Sequence, residues 1–187
     1  MYNNIDSVIR EAREHFDRSI EHLQRELSKI RTGKANASIL EGVLVEYYGS
    51  PVPINQVANV TATDSRTITI QPWERKIIAD IERSIFEANL GVTPQNDGEV
   101  IRLSIPPLTE ERRKDLVKQA KALAEETRVG VRNERHKILD LIKKEVKNGY
   151  AEDAGKRLEG KVQDLVNEYN DKVQQILDVK EKDIMTI

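Results

Sequence analysis

The chain has 187 residues and a net charge of −2; 33% of its residues are charged and 4% aromatic, with nine Gly, six Pro and no Cys. That balance suits long solvated helices better than a sandwich or barrel, and the length supports a core without disulfides or metal. The missing cysteine excludes disulfides, thiol nucleophiles, iron–sulfur clusters and cysteine-based zinc sites, and no apolar run approaches the ~20 residues of a membrane-spanning helix.

The start, Met1-Tyr2-Asn3-Asn4-Ile5-Asp6, has neither a basic flank nor an apolar signal core, so a soluble, untargeted cytoplasmic protein is expected. Apolar residues Ile5, Ile9, Ala12, Phe16, Ile20, Leu23, Leu27 and Ile30 then recur at steps of three and four, the stripe of a helix with one buried face. At 1.5 Å per residue it is roughly 40 Å long and needs partners of similar length. The pattern breaks at Arg31-Thr32-Gly33, and residues 43–105 change to short alternating segments rich in β-branched residues. Residues 43–48 read as a strand ended by Gly49-Ser50-Pro51, and 57–63 and 67–71 as two strands about an Asp64-Ser65 turn. One ring inside and one outside is expected for Tyr47-Tyr48. Ile77, Ile78, Ile81, Ile85 and Ala88 predict one short helix, with Trp73 packed at its start and Gly91 as its C-cap. After an Asn96-Asp97-Gly98 turn, residues 99–105 alternate again and close the unit.

Pro106-Pro107 blocks further strand, and Thr109, Glu110 and Glu111 supply a cap and acidic first turn for a second long helix. Its buried face is read as Leu116, Ala120, Leu123, Thr127, Val131, Ile138, Leu141 or Ile142, and Val146, ending at Asn148-Gly149. Glu152-Asp153 opens a third helix with Leu158, Val162, Leu165, Tyr169, Val173, Ile176 and Ile184 inward. The predicted fold class is α+β. An elongated three-helix bundle (residues 1–31 and 106–187) is interrupted by a small β/α/β domain (32–105), with a hinge at Arg31, Thr32, Gly33, Ser104, Ile105, Pro106 and Pro107, where the chain crosses twice.

Charge is segregated along this layout. Residues 112–147 hold 12 Lys/Arg against 6 Asp/Glu, whereas 148–187 and 32–106 each hold 6 against 9. Lys114, Lys121, Arg128 and Arg135 stand seven residues apart on the second helix, with Lys118 and Arg132 beside them. These six cations share one face, either as a solvated surface with intrahelical pairs such as Glu125 with Arg128 and Arg132, or as a contact for a phosphate backbone. The one-sided surplus points to a polyanion gripped by a single face.

Sites of covalent chemistry are not visible. His15, His22 and His136 fall in helical segments with no nucleophile motif beside them; His15 and His22, seven residues apart, are roughly 10 Å apart by helix rise, too far to share one metal unless a partner intervenes. No glycine-rich phosphate loop, Gly-x-Ser-x-Gly or Gly-Gly-Gln occurs. A helical adaptor or chaperone accounts for the helices but not the basic face, and a hydrolase lacks its nucleophile–base pair.

The stretches Leu27-Ser28-Lys29-Ile30-Arg31-Thr32-Gly33-Lys34-Ala35, Val45-Glu46-Tyr47-Tyr48-Gly49-Ser50-Pro51-Val52-Pro53, Asp64-Ser65-Arg66-Thr67, Pro106-Pro107-Leu108-Thr109-Glu110-Glu111-Arg112-Arg113-Lys114-Asp115-Leu116 and Val131-Arg132-Asn133 closely resemble the ribosome recycling factor family. The likeness runs in the same order over essentially the whole chain. It implies an L-shaped, tRNA-sized factor that enters the ribosome after peptide release. With elongation factor G and GTP, such a factor splits the ribosome into subunits and frees them from mRNA. It further implies a monomer without enzymatic activity or a cofactor of its own, since elongation factor G uses the GTP. The implied partners are the large ribosomal subunit with its rRNA and elongation factor G, with no membrane. Arg132 and Arg135 match family positions that lie along rRNA, and Arg128 shares their face. The inserted domain is implied to be what elongation factor G pushes, swinging on the two connections. Glu134 and His136 depart from the family's usual residues, an apolar or small one and a second basic one, so a weaker positive stripe near neutral pH is expected.

Overall fold

In the computed structural model residues 3–186 are described, with side chains for 7–186, so Ile5 lies outside the described side chains. The elements follow in the order α1 (Asn3–Ser28), β1 (Leu44–Tyr47), β2 (Ser50–Pro53), β3 (Ala58–Ala62), β4 (Thr67–Pro72), α2 (Ile78–Glu87), β5 (Pro94–Asn96), β6 (Ile101–Ser104), α3 (Glu110–Lys147) and α4 (Glu152–Met185). Two compact units result, one from the chain up to Arg31 with Glu110–Thr186, the other from Thr32–Thr109.

In the helical unit, α3 and α4 are about 57 and 51 Å long at 1.5 Å per residue. They run antiparallel, since Arg113, Arg128 and Arg135 meet Met185, Gln174 and Gln163 in reverse order. Helix α1 runs parallel to α4, because Arg13 meets Glu168 while the carbonyl of Ile30 accepts from Lys180 Nζ at 3.0 Å. Ala12, Phe16, Leu23 and Leu27 of α1 and Ile30 just beyond it are buried, as their spacing predicts, whereas the expected Ile9 and Ile20 are only partly covered and Val8 is buried beside Ile9. On α3 and α4 the core takes Ala124 and Leu177 more deeply than the expected Leu123 and Ile176, which are only partly covered. Gly155 lets the two helices close up near their connection: a Cβ there would lie 2.7 Å from Val146 Cγ2.

Tyr169 is fully buried against Phe16, ring centroids 5.1 Å apart, and its hydroxyl donates to the Asp17 carboxylate. Burial first, and then that hydrogen bond, push its pKa up to about 12. The folded chain thus favours the neutral phenol, whose contribution is complete below pH ~10 and is lost as pH rises towards 12, by about 2 kcal/mol. Urea melts between pH 8 and 12 should show this loss in the parent chain beyond the loss in Tyr169→Phe; parallel curves would exclude it.

In the inserted unit, four antiparallel strands lie in the order β3-β4-β6-β5, and β1-β2 form a separate hairpin. Alternation buries Ile68, Ile70, Ile101 and Leu103, with Ile78, Ile81 and Ile85 of α2 in the same core. Strands β2 and β5 were not expected because they contain Pro51, Pro53 and Pro94. Each has a partner on one side only, and there a missing N–H costs no ladder bond. The hairpin turns at Tyr48 and Gly49, with φ of +48° and +82°, the pair of positive values that a two-residue turn requires. Tyr47 is half-buried and Tyr48 exposed, and both hydroxyls donate to Glu74, at 2.8 and 3.1 Å. Two expectations are corrected. Trp73 is 67% exposed rather than packed, and α2 stops at Ala88, followed by Asn89 at φ +49°, before Gly91 is reached.

The crossings are also refined. Arg31 ends one unit and Thr32 begins the other, but the second boundary falls at 109/110 rather than 105/106. Ser104 closes β6, and Ile105 is buried in the inserted core with its N–H donated to Arg66 O at 2.7 Å, so neither is free connecting chain. Gly33 has φ +73°, and a Cβ on it would lie 2.7 Å from Leu108 Cγ, just past Pro106-Pro107. Gly33→Ala should therefore lose about 1–3 kcal/mol in urea melts, of which Leu108→Ala relieves the clash but not the backbone strain. A stability equal to the parent's would exclude the constraint.

Candidate nucleic-acid interface

Helical periodicity brings Lys114, Lys118, Lys121, Arg128, Arg132 and Arg135 within about 100° of one another around α3, beside the face that α4 covers. Their surroundings differ. Lys114 pairs with Glu110 at 3.2 Å, Lys121 lies 3.8 Å from Glu181 of α4, and Arg128 lies 3.4 Å from Glu125. Lys118 and Arg132 are exposed with no hydrogen-bond or ion-pair partner among the described residues. Arg135 donates its Nε to Gln163 Oε1 at 2.8 Å and has no carboxylate partner among the described residues. Positive charge is therefore most available at the Arg132–Arg135 end of the stripe.

A shallow groove of about 340 Å³ opens there between α3 and α4, lined by Arg128, Arg132, Arg135, Gln163, Val166 and Asn170. Arg128 also reaches across, donating Nη2 to Gln174 Oε1 at 2.6 Å. The Asn170 amide oxygen is buried without a hydrogen-bond partner. Three guanidiniums, each a planar fork of five donors, line one open depression, an arrangement matched to phosphate oxygens. The amides of α4 were missed in reading the sequence. Gln163, Asn167, Asn170 and Gln174 stand at steps of four, three and four, so a periodic polar stripe was there to be found.

Glu134, expected to weaken the stripe, lies to one side of it. It stands about 100° around α3 from Arg135 and 160° from Arg132, with Lys137 at 3.8 Å. His136 is exposed on the stripe side. His15 and His22 are exposed too, and line a separate groove of about 310 Å³ between α1 and α3 with Arg18, Glu26, Glu126 and Gly130. Among the described residues no cluster of three or more His, Asp or Glu is arranged to hold a metal, and no helix is long and apolar enough to cross a membrane.

A three-helix bundle with a cationic face, interrupted by a small α+β unit, defines a helical protein with a surface suited to a polyanion. The sequence profile of the family described as "Ribosome recycling factor" matches residues 23–185, and the chain belongs to that family. The ribosome-recycling factor of Christiangramia forsetii is 49% identical over 185 residues, covering 99% of this chain and 100% of that one. That of Geobacter metallireducens is 49% identical over 181 residues, covering 96% and 98%. A solution structure of a ribosome recycling factor superimposes with a TM-score of 0.69 at 36% identity, covering 98% of both chains. The Thermus thermophilus factor, described together with Escherichia coli elongation factor G on the E. coli post-termination complex, gives a TM-score of 0.58 at 42% identity, covering 97% of this chain and 99% of that one.

Proposed function

We propose that this chain recycles ribosomes: after peptide release it binds the large subunit and, with elongation factor G and GTP, promotes separation of the subunits and their release from mRNA. The observation that carries the reading is the groove where Arg132 and Arg135 stand without a carboxylate partner, in a chain of the recycling-factor family. The helical unit grips rRNA phosphates through Arg128, Arg132 and Arg135, with Lys114, Lys118 and Lys121 adding longer-range attraction.

The inserted unit is the surface on which elongation factor G acts, and the two crossings, at Arg31-Thr32 and at Thr109-Glu110, carry its movement. The chain works as a monomer in the cytoplasm and performs no covalent step. It holds no cofactor; GTP is hydrolysed on the partner, and the work of splitting comes from that cycle.

Co-sedimentation with purified large subunits over a salt series tests the grip, and light scattering of post-termination ribosomes with elongation factor G and GTP tests the splitting. Salt-dependent binding together with factor-dependent splitting is expected. Binding that ignores salt, or no acceleration of splitting, would overturn the reading.

A further inference from the structure

Two arginines of the groove, Arg135 and Arg128, donate to neutral amides of α4. Arg135 Nε donates to Gln163 Oε1 at 2.8 Å, and Gln163 Nε2 donates onward to Asn167 Oδ1 at 2.9 Å. Arg128 Nη2 donates to Gln174 Oε1 at 2.6 Å, and Gln174 Nε2 donates to Asp178 Oδ1 at 2.8 Å. In both relays the second bond decides which end of the amide faces the arginine. Helix α4 treats another arginine differently: Arg13 of α1 is clasped by both oxygens of Glu168, at 3.1 and 3.3 Å. One helix thus answers a cation on one side with a carboxylate and two of the groove arginines, Arg128 and Arg135, with amides.

The physical consequences differ. A carboxylate fixes a guanidinium and cancels its field, whereas an amide oxygen fixes it and leaves the positive charge intact. Freezing the side chain beforehand also removes part of the ordering cost that a phosphate would otherwise have to offset. With its Nε engaged, Arg135 has no hydrogen-bond partner for either Nη group among the described residues.

We propose that Gln163 and Gln174 are positioning residues that hold Arg135 and Arg128 in the phosphate-binding geometry while keeping the groove cationic. This rests on the phosphate-binding reading of the groove, which the control below tests separately. Arg135 is the cleaner case, because Arg128 already has Glu125 at 3.4 Å.

The experiment measures binding of the full chain to large ribosomal subunits over a salt series for the parent, Gln163→Glu, Gln163→Ala and Arg135→Ala, with thermal melts of each. Gln163→Glu is almost isosteric and converts the contact into an ion pair, so its melting temperature should match or exceed the parent's. Its affinity should nevertheless fall about tenfold at ~0.1 M salt, and the log–log salt slope should become shallower by about 0.8, as in Arg135→Ala. Gln163→Ala keeps the charge and frees the side chain, so a loss of about two- to tenfold with the parental slope is expected. Parental affinity and slope in Gln163→Glu, with Arg135→Ala weakened, would overturn this proposal and leave the groove reading standing. A loss in Gln163→Glu that leaves the slope unchanged would also overturn it, since that is what altered packing alone produces. Parental binding by Arg135→Ala would remove the groove reading and this proposal with it.

Discussion

Arg132→Ala combined with Arg135→Ala should reduce affinity for large ribosomal subunits by about 100-fold at ~0.1 M salt, taking about 1.5 kcal/mol for each lost charge-assisted contact. The loss should shrink as salt rises, with the log–log slope shallower by about 1.5, because two fewer phosphates shed their counterions. Stability should barely change. Arg132 is exposed without a partner among the described residues, and Arg135 gives up one hydrogen bond to Gln163, so the melting temperature should move by no more than about 2–4 °C. Lys114→Ala, whose charge is already matched by Glu110 at 3.2 Å, should cost much less. An equal loss for Lys114→Ala would mean that the stripe acts by total charge and not through the groove. Unchanged affinity in the double variant would place the rRNA contact elsewhere.

That contrast among the six cations marks where sequence reading stops. Their common face follows from spacing alone, since a helix turns by a fixed angle per residue. What each meets across the bundle depends on α4: Lys121 lies near the Glu181 carboxylate, whereas Arg128 and Arg135 meet the neutral amides of Gln174 and Gln163, partners 28 to 60 positions away. The amides opposite carry no charge, so a count of charges passes over them. The same division holds for the fold. The three long helices were legible because period and length agree, and the core shifted only to neighbouring positions, from Leu123 to Ala124 and from Ile176 to Leu177. The prolines of β2 and β5 concealed short edge strands, for which the usual objection to proline does not apply. Trp73 was misplaced because a large ring suggests a core position, whereas here it lines a surface groove with Pro53, Ile54 and Val60. The second crossing was drawn at the prolines, where strand must end, although packing carries the unit on to Leu108 and Thr109.

Joining Arg31 to Glu110 through a Gly/Ser linker should leave a helical unit that folds and binds large subunits but does not promote their separation. The hydrophobic cores justify the cut: one cluster draws only on residues 35–105, the other only on α1, α3 and α4, and no side chain belongs to both. Ile30 stays buried, and its carbonyl keeps the Lys180 ammonium, so the end of α1 retains its anchor. A linker of about eight residues has a root-mean-square span of about 15 Å and imposes little orientation. Circular dichroism should show higher fractional helix than the parent, with a cooperative melt. Every cation of the stripe lies on α3, so the salt slope of subunit binding should equal the parent's to within about 0.5, less than the contribution of one phosphate. The truncated chain would nevertheless lack the surface on which elongation factor G is proposed to act. In light-scattering assays with elongation factor G and GTP it should leave the ribosomes intact and, in excess, slow the full-length chain by occupying its site. A folded, subunit-binding truncation that splits ribosomes at the parental rate would show that the inserted unit is not the lever, and that the bundle alone receives the push.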